Sequence, residues 1–552
     1  MTNTPSSTPS FTPSFSSTGS SPVRGDRRGV SRRGFLASLG GAAAAVALGG
    51  EAAGATPRSA PTAADVTTAP AALDLDDIQG NILAGFSTNH IALVFITFAD
   101  AAGARRWLAV MQPHITSTSA VQRFRATATA AAAAGVWTNI AITHRGLAAL
   151  GRPNTELRAF PTEFVEGMRA RADVIGDHGV NDATNWPTPY QTDVDAVLIL
   201  GADQVSDMEA AITSHQSAAA AAGVTATSVQ RGAVRADQPG HEHFGFRDGI
   251  SQPGIRGFTT STNPSKPDEG APGQDLLWPG EFVLGHPGQP GVGGGESAGP
   301  IARSGPDWTT NGSYMVLRRL RQDVAGFRTF VAGMASAHGM STDLAGAKLI
   351  GRYQSGAPLE VTGAVAADPA SADPSLTSDA RINDFEYGDD PNGAVVPLCA
   401  HIRKAYPRDE PTRDGGEEDT QTHRILRRGI PFGASLPLGT AAGDALASPQ
   451  FPDDRGLLFI CYQTSIAHQF EFIQRRWFND PNFPRRDSGV DPIVSTRDGQ
   501  RSFVLPGGRP DHIALMEQFV TTTGGDYFLQ PSLSAISMLA AGEAAAITPT
   551  TT

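Results

Sequence analysis

The sequence has little cysteine and almost no lysine. Its 552 residues include two cysteines, Cys399 and Cys461, which are too few for a disulfide framework or a four-thiolate metal site. We therefore predict that both are small buried residues, which is the usual situation of a free cysteine. Three of the 43 basic residues are lysines. We interpret this bias towards arginine as codon usage and derive no function from it.

Positive charge and long apolar runs are also scarce. The 43 basic residues face 55 acidic ones, so the formal charge is −12. A nucleic-acid-binding protein needs a basic surface to neutralise phosphates, which argues against that class. After residue 55, no apolar run approaches the roughly 20 residues that a stable membrane-spanning helix needs. The composition is 40% hydrophobic and 18% charged, ordinary for a soluble globular protein, and the length allows about two to four domains.

The first 55 residues predict a disordered tail and a twin-arginine signal peptide. Residues 1–22 are rich in Ser, Thr and Pro without an apolar period, which is typical of disorder. Ser31–Leu36, with the sequence SRRGFL, then opens an apolar run to about Gly50, and Ala53–Ala55 offers a small-residue cleavage site. We expect the Tat translocase to export the folded protein, which would be secreted or held in the cell envelope.

Residue patterns in the remaining chain predict an α+β protein. Strand-like runs alternate with amphipathic helical patterns in both halves of the chain, which favours two similar sheet-and-helix units. The predicted strands are His90–Phe98, Val136–Thr143, Val194–Leu200, Ser313–Leu320 and Leu457–Tyr462. The predicted helices are Ala101–Met111, Leu157–Ala172, Gln204–Ala221, Gln322–Ala337 and Ile466–Trp477. Residues 56–73 are expected to be a linker, and residues 541–552 a disordered tail.

Two short motifs carry no function in their context. Gly295–Gly299 satisfies the GxSxG pattern of a nucleophile elbow, but no strand precedes it to expose the serine. His241-Glu242-His243 could hold a metal ion, yet alternate residues of a strand would turn Glu242 to the opposite face. The chain also has no CxxCH motif, which excludes covalent attachment of a c-type haem.

Two other segments concentrate residues that could carry chemistry. The first, His243–Pro253, has the sequence HFGFRDGISQP and places Asp248 among glycines and bulky apolar residues. The second begins with Pro397–Lys404 (PLCAHIRK) and continues at Arg424–Gly433 (RILRRGIPFG). Taken separately, Asp248 fits an ordinary turn residue and His401 an ordinary core histidine.

Taken together and in this order, these segments resemble the signatures of the dye-decolourising peroxidases. Residues 77–83 (DIQGNIL) are similar to the start of that family's fold, and the resemblance covers roughly residues 74–540. It implies two ferredoxin-like domains with antiparallel sheets and packed helices. We expect the N-terminal domain at residues 74–235 and the C-terminal domain, which holds the haem, at residues 236–540 with long loop insertions.

The resemblance also implies a cofactor and roles for individual residues. One non-covalent haem b per chain is expected, with His401 as the axial ligand of the iron. Asp248 matches the distal acid–base residue and Arg427 the distal arginine, while Arg424 matches the position that reaches a haem propionate. The further expected haem contacts are Gly249, Ile250 and Phe432.

The expected chemistry explains these residue types. A neutral imidazole on haem iron leaves the other face open for hydrogen peroxide, and a carboxylate partner raises its basicity. Cleavage of the O–O bond requires a proton to move from the near oxygen to the leaving oxygen, which a carboxylate in a dry pocket can do. A fixed guanidinium stabilises the charge that develops on the leaving oxygen.

The implied activity is reduction of hydrogen peroxide coupled to oxidation of bulky phenolic or dye-type aromatics. The alternative is an exported haem-binding or iron-acquisition protein of the deferrochelatase kind, which would not need both Asp248 and Arg427. Glu471 is predicted as the hydrogen-bond partner of His401. Trp477 and Tyr406 are predicted as surface aromatics that pass electrons from bulky substrates. No feature of the sequence specifies an oligomeric state.

Overall fold

A computed structural model describes residues 72–127, 135–188, 190–363, 372–376, 380–437, 454–499, 501–505, 511–515 and 518–542. The predicted N-terminal tail and signal peptide, most of the linker, and residues 543–552 of the C-terminal tail lie outside the described residues. The domain boundaries given above stay a prediction.

The strands of the described residues follow one another along both halves of the chain. They are β1 (His90–Phe98), β2 (Trp137–Ile142), β3 (Ala196–Ala202), β4 (Val224–Ala233), β5 (Gly254–Ile255), β6 (Leu276–Leu277), β7 (Ser313–Gln322), β8 (Leu426–Arg427), β9 (Ile430–Phe432), β10 (Gly456–Gln463), β11 (Ser502–Leu505), β12 (Asp511–Ala514) and β13 (Val520–Gln530). Each of the five predicted strands is present, with its ends within two residues of the expected ones.

Nine of these strands form one antiparallel sheet. Its order is β4-β1-β3-β2-β13-β7-β10-β8, and β9 also pairs with β10. The first four strands come from the first half of the chain and the others from the second half. They join where β2 meets β13, through Ile142 opposite Leu529. The expected α+β fold with antiparallel sheets is confirmed, and the sheets of the two halves are continuous.

Strand β1 is buried on both faces of this sheet, which explains its unbroken apolar sequence. Val94 and Ile96 pack into one hydrophobic cluster, whereas Leu93 and Phe95 pack into another on the opposite face. Successive side chains of a strand point to opposite faces, so a strand covered on both sides must be apolar at every position.

The α-helices lie before, between and after these strands along the chain. They are α1 (Gly80–Leu83), α2 (Ala101–Met111), α3 (Thr118–Thr127), α4 (His144–Ala149), α5 (Asn154–Leu157), α6 (Thr162–Glu166), α7 (Ala172–Ile175), α8 (Val205–Ala221), α9 (Val324–His338), α10 (Thr342–Ile350), α11 (His401–Ala405), α12 (Glu417–Thr422), α13 (Phe470–Phe472) and α14 (Leu533–Ala541), and α13 runs into a π-helix at Ile473–Phe478. Helix α2 buries Trp107, Leu108 and Met111 along one face, and the Asp100 side chain caps its first turn by accepting from Gly103 N.

Two helix predictions fail where the backbone is interrupted. The helix predicted at Leu157–Ala172 is broken into short pieces, because Pro161 precedes α6 and Gly167 ends it with a φ of 74°. Proline lacks the N–H that a helix interior needs, and glycine readily adopts positive φ. The helix predicted at Ile466–Trp477 begins only at Phe470.

Candidate active site

The structure gathers most of the predicted site residues around one cavity of about 270 Å³. The predicted residues that line it are Asp248, Gly249, Ile250, His401, Tyr406, Arg424 and Arg427. Phe432, Glu471 and Trp477 are not among its lining residues. Segments that lie more than 150 residues apart in sequence, around Asp248 and His401, therefore meet at one site.

Asp248 lies in a loop whose glycines allow unusual backbone conformations. Gly249 has a φ of 76°, and its N–H donates to Asp248 Oδ1 at 2.6 Å. The same oxygen accepts from Arg427 Nη1 at 3.0 Å. Among the described residues, Oδ2 of Asp248 accepts no hydrogen bond, and the side chain is 38% exposed towards the cavity. One carboxylate oxygen is thus held in place while the other remains available.

The charge of Asp248 is set by opposing influences. Burial raises the pKa of the Asp248 carboxyl, but Arg427 and the Gly249 N–H outweigh burial and hold the pKa below its ordinary value. Asp248 is therefore an ionised carboxylate, able to accept a proton, at neutral pH.

Arg427 lies on the short strand β8 and is fixed by three further hydrogen bonds. Its Nη2 donates to the Ser251 carbonyl at 2.9 Å. Its backbone pairs twice with the Gln252 side chain, which accepts from Arg427 N at 3.2 Å and donates to Arg427 O at 3.0 Å. The guanidinium therefore faces Asp248 in a fixed orientation.

His401 begins helix α11 and is oriented by a buried carboxylate. Its Nδ1 lies 2.9 Å from Asp491 Oδ2. Asp491 is 0% exposed, and its Oδ1 accepts from the N–H groups of Ile493 and Val494 at 2.8 and 2.9 Å. A carboxylate at Nδ1 fixes the tautomer with Nδ1–H, so the lone pair lies on Nε2. Among the described residues Nε2 has no hydrogen-bond partner, and the ring lines the cavity.

The pKa of His401 reflects the same pair. Burial lowers the pKa of the imidazole, but the Asp491 carboxylate outweighs burial, so the pKa is raised. A more basic imidazole is a stronger donor to a metal ion.

The prediction that Glu471 is the partner of His401 is wrong. Glu471 instead accepts two hydrogen bonds from Arg171, at 2.8 and 2.6 Å, and a third from the Tyr527 hydroxyl at 3.0 Å. Its bidentate ion pair with Arg171 links α13 to the segment before α7 and occupies both carboxylate oxygens. Asp491 was missed, although Asp-Pro followed by apolar residues indicates a buried carboxylate that caps its own loop.

Tyr406 and Arg424 form a polar group at one part of the cavity wall. The Arg424 guanidinium lies 3.6 Å from the centroid of the Tyr406 ring and donates to Gln421 Oε1 at 3.0 Å. The Tyr406 hydroxyl donates to Asp275 Oδ2 at 2.5 Å, and the Asp275 side chain is 35% exposed. Tyr406 thus links the cavity to a partly exposed carboxylate rather than standing on the surface itself.

Trp477 and Phe432 occupy the core instead of their predicted positions. Trp477 is 1% exposed and stacks on Phe483 with centroids 5.3 Å apart, so the prediction of a surface aromatic is wrong for it. Phe432 is buried beneath the Arg319 guanidinium, 4.2 Å from its ring centroid. Its side chain points into the core on the same side of β9 as Ile430, because residues two apart on a strand share a face.

The cavity fits a flat apolar group that carries a metal and acidic substituents. Much of its wall is apolar, including Leu320, Ile350, Phe459, Phe478 and Ile493. Besides Arg318 and Arg427, four arginines line it and could pair with carboxylates: Arg247, Arg352, Arg408 and Arg424. The free Nε2 of His401 supplies a single metal-ligating atom, which suits the axial position of haem.

Clusters of metal ligands and membrane-spanning helices are both absent from the part of the chain that the structure describes. There, no group of three or more His, Cys, Asp or Glu residues is placed to hold a metal ion. No helix of these ranges is long and apolar enough to cross a membrane.

Comparisons with known proteins agree with the geometry. Residues 77–236 match the family described as DyP dimeric alpha+beta barrel domain, and residues 296–487 match Dyp-type peroxidase, C-terminal. Peroxidase 2 of Mycetinis scorodonius is 33% identical over 485 residues, which cover 84% of this chain and 87% of that protein. The crystal structure of a fungal DyP-type peroxidase from Auricularia auricula-judae is 29% identical with a TM-score of 0.68, covering 85% of this chain and 100% of that one.

A relative of the alternative class matches only in part. The deferrochelatase of Yersinia pestis is 30% identical over 203 residues, which are 37% of this chain and 34% of that protein.

The fold, the site and these similarities define a haem-dependent peroxidase. The chain belongs to the DyP-type peroxidase family. Its activity is the reduction of hydrogen peroxide with oxidation of dyes and phenols.

Proposed function

We propose that the chain holds one non-covalent haem b in the cavity, with His401 Nε2 as the axial ligand of the iron. The hydrogen bond between His401 Nδ1 and Asp491 supports this, because it leaves Nε2 as the free donor atom. A non-covalent attachment is supported by the cysteines, which are both fully buried and do not line the cavity.

When bound, haem would supply the iron that reduces peroxide and that takes electrons from organic donors. Peroxide needs two electrons and two protons to become two molecules of water, and the electrons come from two one-electron aromatic donors. The residues of this chain position peroxide and move the protons.

We assign proton transfer to Asp248. Its Oδ2 is available to take the proton from the near oxygen of peroxide and return it to the leaving oxygen, while Oδ1 stays bound to Gly249 N and Arg427. Its lowered pKa keeps the carboxylate ionised and ready to accept.

Arg427 is assigned to the negative charge that develops on the leaving oxygen. Its four anchoring hydrogen bonds, two from the guanidinium and two through the backbone, fix its position before the reaction, so little reorganisation is needed. Arg424, next to the cavity and paired with Gln421, is assigned to a haem propionate.

Tyr406 is proposed as the residue that receives electrons from donors too large to enter the cavity. Its ring lines the cavity, and its hydroxyl already donates to Asp275. Loss of one electron from Tyr406 can therefore be matched by movement of its proton to Asp275. A phenolic donor then supplies an electron to the tyrosyl radical, and the proton returns from Asp275.

Export by the twin-arginine route and an extracytoplasmic location remain part of this proposal. They rest on Ser31–Leu36 and Ala53–Ala55, which lie outside the described residues. Arg32→Lys combined with Arg33→Lys should leave unprocessed protein in the cytoplasm, and unchanged export of this variant would refute the proposal.

The observation that carries the assignment of the site is that His401, held from behind by Asp491, lines one cavity together with the Asp248–Arg427 pair. The direct test is the absorption spectrum of the purified protein before and after addition of hydrogen peroxide. A haem band that changes with peroxide and returns with a phenolic donor is expected. A haem band that peroxide leaves unaltered would favour the carrier alternative.

A further inference from the structure

A second carboxylate, Glu242, stands beside Asp248 on the wall between two cavities. The second cavity, of about 450 Å³, lies between residues 84–89 and residues 427–431. It shares Glu242, Asp248, Gly249, Arg427 and Leu457 with the active-site cavity. Glu242 and Asp248 are the carboxylates among these shared residues, and the activity described above uses only Asp248.

The loop that leads to Asp248 folds around the Glu242 side chain. Glu242 Oε2 accepts from Phe244 N, and Oε1 accepts from Phe246 N, each at 2.8 Å. The backbone closes the same turn, because Glu242 N donates to Phe246 O and Gly245 N donates to Glu242 O. Asp248 follows two residues later, with its own N–H donating to Gly240 O at 3.0 Å. The position of Asp248 therefore depends on the carboxylate of Glu242.

Three N–H groups donate to the Glu242 carboxylate. Besides the two backbone donors, Gln322 Nε2 on β7 donates to Oε2 at 2.5 Å. After β4, Arg235 donates to the Glu242 carbonyl at 2.5 Å and not to its carboxylate. Burial and the neighbouring Asp248 charge raise the pKa of Glu242 in spite of these hydrogen bonds. As pH falls, Glu242 therefore takes up a proton before Asp248, whose pKa is lowered.

Asp248 faces charges of both signs from the elements around it. Arg427 on β8 lies 3.0 Å from its carboxylate and favours the ionised form. His401 at the start of α11 contributes weakly in the same direction when it is protonated. Glu242, from the same loop, takes up its proton at higher pH than Asp248 and so adds no charge in the range where Asp248 titrates.

We propose that Glu242 is a positioning residue for Asp248: the hydrogen bonds that its carboxylate accepts shape the loop that presents Asp248. This inference rests on the proposed acid–base role of Asp248 and adds the group that holds it in place. It also gives a function to the His241-Glu242-His243 motif, whose histidines do not line the active-site cavity.

Glu242→Gln keeps the size of the side chain and removes one of its two acceptors. Both carboxylate oxygens accept from backbone N–H groups, so the NH₂ group of the new amide must face the N–H of Phe244 or Phe246. The turn should loosen, and Asp248 should lose its fixed place beside Arg427. The rate of the reaction with peroxide should therefore fall, and its acid limb should move to higher pH, because the contact that lowers the pKa of Asp248 is weakened.

Two measurements on the ferric holoprotein give the pH at which this acid limb lies. One is the stopped-flow rate of the haem band change with peroxide across pH. The other is the rate of cyanide binding, in which hydrogen cyanide must also lose a proton, and which involves no turnover. Both limbs should move up in Glu242→Gln and, by a larger amount, in Arg427→Leu, which removes the neighbouring positive charge.

Glu281→Gln is the matched control. Glu281 likewise accepts a backbone N–H, from Gln289 at 2.7 Å, but lines neither cavity. Its change should leave both limbs in place. If Glu242→Gln left the limbs unmoved while Asp248→Asn abolished them, the inference would be wrong and the proposed function would stand. If Asp248→Asn also kept them, the proposed function itself would fail.

Glu242→Asp covers the case in which Glu242→Gln does not retain haem. It keeps both acceptor oxygens but shortens the side chain, so the loop should shift and the maximal rate should fall. A wild-type rate in Glu242→Asp would contradict the positioning role.

Discussion

The two carboxylates that serve the cavity are held in very different ways. Asp491 is fully buried, and both of its oxygens are engaged, by His401 and by two backbone N–H groups. Asp248 is 38% exposed towards the cavity and keeps one oxygen free among the described residues. The first arrangement fixes the orientation of the His401 ring, whereas the second leaves an oxygen able to gain and lose a proton. The contrast supports the proposed division, in which Asp491 orients the ligand of the iron and Asp248 reacts.

Removal of the His401 side chain should have the largest effect, which is the loss of haem. His401→Ala takes away the only nitrogen proposed to bind the iron, so purified protein should lose or greatly loosen its haem. The ratio of haem to protein absorbance measures this, with circular dichroism to verify folding. His243→Ala is the control, since His243 Nε2 donates to the Phe432 carbonyl at 2.8 Å and His243 does not line the cavity. Full haem occupancy in His401→Ala would mean that another residue is the ligand.

Asp491→Asn should weaken the support without abolishing it. An amide can accept from His401 Nδ1 only by turning its NH₂ group towards the N–H groups of Ile493 and Val494, where two donors face each other. Loss of such a partner typically costs about 10–100-fold in metal affinity or activity. Competition with apomyoglobin for haem measures the affinity.

Glu471→Gln provides the comparison for that variant. It breaks the pair with Arg171 and should lower stability, yet the folded protein should bind haem with wild-type affinity, because Glu471 does not contact His401. A larger loss of haem affinity in Glu471→Gln than in Asp491→Asn would mean that Glu471, and not Asp491, supports His401.

The smallest effect is expected at the cavity wall. Tyr406→Phe removes the hydroxyl that donates to Asp275, so oxidation of a bulky dye should slow several-fold while the reaction with peroxide keeps its rate. Trp477→Phe should change neither, since Trp477 is buried behind the wall. Steady-state dye oxidation and stopped-flow mixing with peroxide separate the two steps. Equal dye rates in wild type and Tyr406→Phe would place the electron route elsewhere.

Local patterns predicted much of the fold. Strand β1 and helix α2 have the predicted limits because apolar runs and periodic apolar faces are local signals. Strands β4 and β13 were not predicted, since their sequences are rich in Thr, Gly and Gln and owe their strand conformation to neighbours in the sheet. Helix α10 was also missed, although Ser341 caps it by accepting from Leu344 N.

The site was predictable where a short motif carries the functional residue. Asp248, His401 and Arg427 lie within such motifs and were predicted by resemblance, and all three line the cavity. Asp491 lies in a loop about 90 residues after His401, where several acidic residues compete. The choice among them depends on which side chain reaches Nδ1, and sequence spacing carries no such information.

The central claim, that Asp248 is the reacting carboxylate, is tested most directly by the pH dependence of the reaction with peroxide. Stopped-flow mixing of ferric wild type and Asp248→Asn with peroxide isolates this step from later electron transfer. Arg427 holds the pKa of Asp248 below its ordinary value, so the wild-type rate should be constant near neutrality and fall only as pH drops below the ordinary pKa of an aspartate. Asp248→Asn should be slower by about 10²–10⁴-fold and show no acid limb. A wild-type rate with the same limb in Asp248→Asn would contradict the account.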